Sequence, residues 1–532
     1  MTNGHDTGVR VLIFHGYLLR GTGSNVYTSK LAEALRHLGH EVHVLCQDRD
    51  PRDLPWVDAI GTWAGSGWEV EVLREPVRAT IYRPDIGTLL PVYVADRYEG
   101  FDARPFPACS DAEIAEYVAR NVEAVRAVAE RARPDVSLAN HLVMGPAILA
   151  RAGLRTAVKI HGSALEYVVK PHPERFMPWA REGLSAARTI LVGSLHTGQS
   201  LWDALGAELQ ERTRLGPPGV DIEQFAPRAP QAAARELQAL AEALAAGAGG
   251  HLDEAGEAAQ EAGGADAFAM DHAAAGRALQ RLDLGRDRLV AYTGKLIVSK
   301  GVDLLLAAWP LVLDAAPDAR LVVVGFGAYR DGLMALQRAL AAGDLEGARD
   351  IARAGRALEG GPRAPLHHLL TFLDSEAAAG EAYRRAAARL DDRVVWCGRL
   401  EHAELAHVLP ACEAQVVPST FPEAFGMVAA EAAACGALPI SAAHSGLAEV
   451  TRTLAAAVGD EFAPLLSFGV GPRAVDDLAD RITGWLRVCG DGRDRTRAAL
   501  VATARERFSW DGVAAGVVAA GLGRLDELPL PS

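Results

Sequence analysis

The sequence predicts an α/β protein made of two doubly wound domains, each built around a parallel β-sheet. With 532 residues, the chain is too long for one ordinary hydrophobic core. Short apolar runs that fit buried parallel strands alternate with amphipathic helical segments along most of the chain. An Ala-rich stretch at 229–285 interrupts this alternation, and a second strand–helix series begins after it. The sequence therefore indicates two similar halves joined by a linker.

The first half opens with a strand–helix–strand unit. The apolar run 9–14 predicts a strand, and a loop over 18–25 leads into a helix that stops at Gly39 before a second strand at 41–45. This order requires a parallel sheet with a right-handed crossover. We interpret the stretch 48–110, which has no clear period, as loops that carry specificity for the acceptor. Further strands are predicted at 134–139, 157–160 and 189–192.

The second half repeats this pattern. Its strands are predicted at 289–292, 320–324, 394–397, 414–417 and 438–441, with a helical insertion at about 330–390. We expect ligands outside the carboxyl ends of the strands, in a cleft that the two domains face. The predicted divisions are an N-terminal domain at 1–215, a linker with a helical insertion at 216–288, a C-terminal domain at 289–505 and a final segment at 506–532.

The composition excludes several function classes. The formal net charge is −14, so the chain lacks the excess of Lys and Arg with which proteins bind nucleic acid. The six cysteines are scattered without a C-x-x-C pair, which indicates free thiols in a reducing compartment and predicts a cytoplasmic protein. The polar segment 1–10 predicts no signal peptide, and the absence of an apolar run of 18 residues predicts no membrane span. Peripheral membrane contact and the oligomeric state stay open.

The segment 418–431 carries the most informative motif. It is typical of a strand end, a turn and a helix start, in which Pro422 ends any preceding helix and Gly426 lets the backbone approach a ligand closely. The first N–H groups of the following helix are unpaired and attract anions. Glu423 precedes this helix and Glu431 lies inside it. Two carboxylates are therefore expected to flank a space of the size of a phosphate.

A second segment supplies positive charge. Only five of the 54 basic residues are lysines, and two of them, Lys295 and Lys300, follow the first strand of the second half. A lysine in this chain is therefore expected where a compact ammonium does what the planar guanidinium of Arg cannot do. At the carboxyl end of a strand, both lysines can reach a diphosphate and stabilise its developing charge as it leaves.

These two motifs and two others resemble glycosyltransferase family 4 (group 1), the retaining enzymes of the GT-B fold. The family motif E-x-F-G-x4-E is matched by Glu423, Phe425, Gly426 and Glu431. The family motif G-R-L-x3-K-G appears with Lys295 in place of the usual Arg. The linker motif P-x-G-V-D-x3-F appears at 217–225, and the closing F-S-W appears at 508–510. The resemblance implies two Rossmann-like domains and a C-terminal helix at 506–532 that crosses back to the first domain.

The resemblance also implies a role for each matched residue. Glu431 would hold the ribose hydroxyls of a nucleotide, and Glu423 would contact the hydroxyls of the donor sugar. His161 matches the family's histidine at a strand end near the transferred sugar. The residues implied in donor binding are Gly21, Gly23, Lys295, Lys300, Glu423, Ala424, Phe425, Gly426, Met427 and Glu431. The residues implied in catalysis are His161, Lys295, Lys300 and Glu423.

The reaction that the resemblance implies is hexosyl transfer (EC 2.4.1-like). A hexose would move from a nucleotide-diphosphate sugar, UDP- or GDP-linked, to a hydroxyl of a sugar, lipid or small-molecule acceptor. No metal or other cofactor is expected, because the lysines and the helix dipole supply positive charge at the diphosphate. The acceptor hydroxyl is expected to attack from the face that the diphosphate leaves, which retains configuration without a covalent intermediate.

Other functions stay open from the sequence. A GT-B sugar phosphorylase would depend on inorganic phosphate, and a nucleotide-sugar epimerase would need no acceptor. A non-catalytic nucleotide-sugar binding protein would bind without turnover. A dehydrogenase is disfavoured, because Gly21-x-Gly23 lacks the third spaced glycine and a clear acidic partner about 20 residues further on. The residues of the site decide among these functions, since the fold alone does not.

Overall fold

The structure is a computed structural model that describes residues 8–20, 23–65, 67–93, 100–247 and 271–531. The chain divides into two compact units, of which the first comprises residues 1–219 and 508–532 and the second comprises residues 220–507. Two predicted features lie outside the described residues. They are the donor-binding residue Gly21 and the part of the Ala-rich stretch at 248–270.

The first unit is built on a nine-stranded sheet. The unit as a whole has the described strands β1 Arg10–Phe14, β2 Glu41–Leu45, β3 Ala59–Ala64, β4 Gly67–Val72, β5 Ala79–Arg83, β6 Leu89–Val92, β7 Asp102–Pro105, β8 Val136–Asn140, β9 Thr156–Ile160, β10 Ala187–Val192 and β11 Thr213–Leu215. The sheet has the order β11-β10-β9-β8-β1-β2-β5-β3-β4, and β6 pairs with β7 separately. All pairings in the large sheet are parallel except that of β3 with β4. The predicted parallel sheet is therefore present in this unit.

The prediction that 48–110 consists of loops is wrong, because β3 to β7 lie within this stretch. Strands β3 and β4 form an antiparallel hairpin in which Trp63 pairs with Trp68. In β4 the apolar residues Trp68, Val70 and Val72 occupy every second position, which is the period of a half-buried strand. Each strand is short and is bounded by Gly or Pro, so the alternation is too brief to stand out in the sequence.

Helices cover the sheet of the first unit. They are α1 Ser24–His37, α2 Asp111–Ala132, α3 Gly145–Arg151, α4 Pro173–Ser185 and α5 Leu195–Leu205. The C-terminal helix Trp510–Leu522 also belongs to this unit. The hydroxyl of Thr189 donates to the carbonyl oxygen of Ala520 at 2.9 Å, and the rings of Trp510 and Tyr27 lie 5.5 Å apart. These contacts anchor the end of the chain on the first unit.

The second unit contains a six-stranded sheet in which all pairings are parallel. Its strands are β12 Arg288–Thr293, β13 Ala319–Val324, β14 Val394–Gly398, β15 Ala414–Val417, β16 Leu438–Ala442 and β17 Ser467–Phe468. Their order is β14-β13-β12-β15-β16-β17, which is the order 3-2-1-4-5-6 of a Rossmann sheet. The strand order reverses between β12 and β15, and open α/β sheets bind ligands at such a point.

The second unit is rich in helices. They are α6 Pro230–Ala245, α7 His272–Leu279, α8 Val302–Ala315, α9 Arg330–Ala341, α10 Leu345–Ala354, α11 His367–Leu373, α12 Glu376–Ala379, α13 Glu381–Ala387, α14 Leu390–Arg393, α15 His402–Val408, α16 Met427–Cys435, α17 Ser445–Val458, α18 Ala474–Arg487 and α19 Gly490–Phe508. The stretch 330–390 is thus helical in the structure. Across the described residues, no helix combines the length and the apolar character that a membrane span needs.

Candidate active site

Two predicted motifs meet where the strand order of the second sheet reverses. Strand β12 leads to the loop that holds Lys295 and Lys300, and β15 leads to the loop that holds Glu423. Because β12 and β15 are parallel neighbours, their carboxyl ends lie at the same edge of the sheet. An ion pair between Lys300 Nζ and Glu423 Oε1 joins the two loops across 123 residues of sequence.

The Glu423 side chain and backbone are held from several sides. Its carboxylate accepts hydrogen bonds from the Lys300 ammonium and from Ser419 Oγ, the latter at 2.6 Å. Its backbone N–H donates to Ser445 Oγ at 2.8 Å, and its carbonyl oxygen accepts from the Gly446 N–H at 2.9 Å. The side chain is 24 % exposed. The carboxylate is therefore oriented by the protein and still accessible to a ligand.

His444 orders the same loop. Its Nε2 donates to the carbonyl oxygen of Ser419 at 2.8 Å, and its Nδ1 lies 3.0 Å from Ser445 Oγ. Sequence reasoning missed the contributions of Ser419, His444 and Ser445. No motif spacing marks these residues, because they reach Glu423 from the ends of two different strands.

Glu431 lies inside α16 and is 3 % exposed. Its Oε1 is 3.6 Å from Nε2 of His402, whose side chain is 46 % exposed. The sequence shows no spacing that connects His402 with Glu431, so this neighbour of the predicted ribose-binding carboxylate was missed. Ala424, Phe425, Gly426 and Met427 connect Glu423 to the first turn of α16. The structure thus brings the predicted donor-binding residues of this motif together around one helix N-terminus.

Lys295 differs from Lys300 in its surroundings. Its side chain is exposed and has no hydrogen bond or ion pair with any residue that the structure describes. The loop beneath it is ordered, because the Tyr292 hydroxyl donates to the carbonyl oxygen of Lys295 at 2.8 Å. Burial, assisted by the nearby charge of Glu423, raises the pKa of Tyr292, so this hydroxyl keeps its proton. Lys295 is therefore free to contact an anion.

Asp303 lies in the first turn of α8, directly after the Lys300 loop, and is buried. Burial raises its pKa to about 7, although backbone N–H groups of Asp303 and Leu304 favour the charged form. In the folded state, Asp303 therefore keeps a proton that the unfolded chain releases near pH 4. Stability falls as the pH rises between these two values, and the loss is complete above the folded pKa.

We expect Asp303→Asn to remove this pH dependence. An amide cannot ionise, so the variant should be more resistant to urea than the wild type at about pH 8, by on the order of a few kcal/mol. At about pH 5 the difference should be much smaller. Urea unfolding of both proteins at the two pH values measures the effect. Equal losses of stability in wild type and variant between the two values would contradict it.

His161 lies at the carboxyl end of β9 in the first unit, near the ends of β1 and β8. Its Nε2 is 2.8 Å from Oδ1 of Asn140, the last residue of β8. Its ring lies 4.9 Å from that of Tyr27 and 4.8 Å from that of His141. Burial, followed by repulsion from His141, lowers the pKa of His161 well below its usual range. His161 is therefore neutral at physiological pH.

His141 is the most strained residue of this group. Its φ is +67°, a conformation that residues other than glycine rarely adopt, and neither ring nitrogen has a hydrogen-bond partner in the described part of the chain. Burial lowers its pKa well below the usual range. Such strain persists only where the surrounding structure imposes it, and it is frequent at functional sites. In the sequence, the only signal that marked His141 as a candidate was its position at the end of a predicted strand.

Two further residues of the first unit have defined places. Gly23 precedes α1 with a φ of +63°, and a Cβ atom there would meet no atom of the described residues beyond its chain neighbours within 4 Å. Lys159 is buried, donates to the carbonyl oxygen of Gly216, and has its pKa lowered to about 7 by burial. Within the described residues, no group of three or more His, Cys, Asp or Glu side chains is arranged to hold a metal ion.

Known proteins resemble both halves of the chain. Residues 374–488 match the family model described as glycosyl transferases group 1, and residues 21–224 match the model described as Glycosyltransferase Family 4. The D-inositol 3-phosphate glycosyltransferase of Xylanimonas cellulosilytica is 24 % identical over 93 % of this chain and 90 % of its own length. The enzyme of that name from Segniliparus rotundus is 31 % identical over 46 % of this chain and 42 % of its own length.

Solved structures show the same fold. Sucrose-phosphate synthase from Thermosynechococcus elongatus has a TM-score of 0.51 at 20 % identity and covers 98 % of both chains. The catalytic domain of starch synthase IV from Arabidopsis thaliana, bound to ADP and acarbose, has a TM-score of 0.55 at 12 % identity and covers 98 % and 100 %. Anabaena HepE in complex with UDP and glucose has a TM-score of 0.51 at 16 % identity with the same coverage.

The predicted fold is confirmed by these structures, and the predicted family by the two family models, which match different halves of the chain. The prediction of an enzyme is confirmed as well, because the relatives are named glycosyltransferases. The chain is therefore a glycosyltransferase of the GT-B fold and belongs to glycosyltransferase family 4 (group 1).

Proposed function

We propose that the chain transfers a hexose from a nucleotide-diphosphate sugar to an acceptor hydroxyl with retention of configuration. The observation that carries this proposal is the contact between Lys300 and Glu423 beside the N-terminus of α16. It places an ammonium, an oriented carboxylate and unpaired backbone N–H groups at one point. HepE, which binds UDP and glucose, supports a nucleotide sugar as the donor.

The charges of the site suit a departing diphosphate. Lys300 is held in place by Glu423, and the exposed Lys295 can close on the outer phosphate oxygens. The N-terminus of α16 adds a positive dipole end. Two ammonium groups and a helix end can stabilise the leaving group without a metal ion, so we propose metal-independent transfer. Glu431, buried in α16 beside His402, would bind the ribose hydroxyls.

The position of Glu423 supports a transfer without a covalent intermediate on this carboxylate. Its carboxylate is already engaged by Lys300 and Ser419, so it is better suited to bind sugar hydroxyls than to attack the anomeric carbon. We therefore propose that the acceptor hydroxyl attacks from the face that the diphosphate leaves. A phosphorylated cyclitol is the acceptor to test first, because the relatives are named D-inositol 3-phosphate glycosyltransferases. A cytoplasmic location stays a prediction.

The test is a nucleotide-release assay with UDP-, GDP- and ADP-sugars. We expect release from one donor and a loss of about a hundredfold in Glu431→Ala, because the ribose hydroxyls lose a charged partner. The matched control is Glu381→Ala, which removes an exposed carboxylate of α13 and should leave the rate within about twofold.

Each contrary outcome points to a different function. Nucleotide binding without release from any donor, with the acceptor present, would contradict transfer and favour a binding protein. Turnover that requires inorganic phosphate would indicate a phosphorylase. Conversion of the donor sugar without an acceptor would indicate an epimerase.

A further inference from the structure

A hydrogen-bond chain in the first unit can run in only one direction. The hydroxyl of Thr28 donates to the carbonyl oxygen of Ser24 at 2.8 Å, since a carbonyl has no hydrogen to give. A hydroxyl has a single hydrogen, so Thr28 Oγ1 can only accept from the Asn140 amide, whose Nδ2 lies 3.0 Å away. The amide is thereby oriented, and its Oδ1 faces Nε2 of His161 at 2.8 Å.

This orientation determines where His161 carries its hydrogen. Oδ1 of Asn140 is an acceptor, so Nε2 of His161 must be the protonated nitrogen. The other nitrogen, Nδ1, has no hydrogen-bond partner among the residues that the structure describes. A second proton is absent at neutral pH, because burial and the charges of His141 and Lys159 lower the pKa of His161 well below its usual range. Nδ1 therefore presents a free lone pair.

Burial protects the hydrogen bonds that link Thr28, Asn140 and His161 from water. Asn140 is 1 % exposed and Thr28 is fully buried, so water does not compete for their hydrogen bonds. The rings of Tyr27 and His141 contact the imidazole and limit its rotation. The neighbouring rings thus restrict the orientation of His161, and Asn140 and Thr28 determine its tautomer.

We propose that Asn140 and Thr28 are positioning residues that hold His161 as the Nε2–H tautomer, so that Nδ1 accepts a hydrogen bond from a hydroxyl of the bound sugar or acceptor. The inference rests on the proposed function. A neutral ring in this tautomer offers no hydrogen on Nδ1, so a phosphate or carbonyl oxygen gains nothing there. His161 therefore selects a hydroxyl group and does not donate a proton to the leaving diphosphate.

The tautomer can be observed without turnover. In the 532-residue chain labelled with ¹⁵N-histidine, long-range ¹H–¹⁵N spectra should show His161 protonated at Nε2, with the signal assigned by its loss in His161→Gln. Thr28→Val keeps the side-chain volume but removes the group that orients Asn140, so both tautomers should appear. Thr28→Ser keeps the hydroxyl and should keep the single tautomer. A proton on Nδ1 in the wild type, or one unchanged tautomer in Thr28→Val, would overturn the inference.

A pH profile separates positioning from a merely structural role. Asn140→Asp places a carboxylate beside Nε2–H and raises the pKa of His161. Below that pKa, Nδ1 is protonated and can no longer accept. The other titratable groups facing the ring, His15, His141, Lys159 and Tyr27, are the same in both proteins.

The ratio of kcat/KM between Asn140→Asp and the wild type should therefore fall about tenfold between about pH 8 and about pH 6. A ratio that does not change with pH would contradict the positioning role. Deoxy-sugar analogues of donor and acceptor identify the hydroxyl that donates to Nδ1 of His161. With the wild type, the analogue that lacks this hydroxyl should show a kcat/KM about tenfold lower than that of the parent sugar. With Asn140→Asp at the lower pH, the analogue and the parent sugar should have equal kcat/KM values. If the wild type releases no nucleotide from any donor, the proposed function fails, whereas the tautomer result stands by itself.

Discussion

Lys300→Ala is expected to lower the rate of sugar transfer by about a thousandfold. The Lys300 ammonium is held by Glu423 before any ligand arrives, so it needs no reorganisation as charge develops on the leaving diphosphate. Removing it also leaves the Glu423 carboxylate with Ser419 as its remaining side-chain partner in the described structure. Nucleotide release at saturating donor measures the effect.

Three other lysine variants test whether the effect is specific to the ammonium group at position 300. Lys295→Ala should lose only about tenfold, because this exposed side chain has no partner that orients it. Lys300→Arg should recover part of the rate, since the charge remains but the planar guanidinium cannot reproduce the contact of an ammonium. Lys30→Ala, which removes an ion pair with Glu33 on α1, is the matched control and should stay within about twofold. A rate for Lys300→Ala equal to that of this control would contradict the assigned role.

Gly301→Ala is expected to destabilise the second unit by about 3 kcal/mol and to abolish most of the transfer activity. The φ of Gly301 is +65°, and a Cβ atom there would lie 2.0 Å from the carbonyl oxygen of Pro418. The two nearest atoms belong to the Pro418 backbone, and the Thr420 methyl group lies 3.2 Å away, so the new methyl group fits only if a loop moves. The movement would separate Lys300, next to Gly301, from the loop of Glu423.

Gly343→Ala is the matched control for Gly301→Ala. Its φ is +72°, but apart from its chain neighbours no atom of the described residues lies within 4 Å of the position that its Cβ would take. It should therefore show the dihedral cost alone, about 1–2 kcal/mol, with unchanged transfer activity. Urea unfolding and nucleotide release compare the two variants. A Gly301→Ala variant as stable as Gly343→Ala would contradict the prediction that the close approach of the Gly301 loop to the Pro418 loop leaves no space for a methyl group.

The sequence predicted much of the fold because strand and helix patterns are local. The apolar run at 9–14 corresponds to β1, and the helix that should stop at Gly39 corresponds to α1. The prediction of loops at 48–110 was wrong where several short strands add to one edge of the sheet. An edge strand such as β4 is exposed on one face and short, so its pattern is weak until its neighbour β3 is known.

At the candidate active site, too, the sequence predicted some residues and missed others. Glu423, Glu431, Lys295 and Lys300 were singled out because each lies in a compact motif. Their partners were missed. Ser445 reaches the Glu423 backbone from the loop after β16, and His402 approaches Glu431 from α15. Nothing in the spacing of these residues along the chain indicates such contacts.

The sequence by itself determined the family, the alternation of strands and helices, and the residues that carry charge at the candidate active site. Only the tertiary structure decided which of them touch. Lys300 pairs with Glu423 because β12 and β15 are neighbours in the second sheet, and Asn140 orients His161 because β8 and β9 are neighbours in the first. Strand order arises when every strand and helix of a unit packs into one core, so no local segment contains that information.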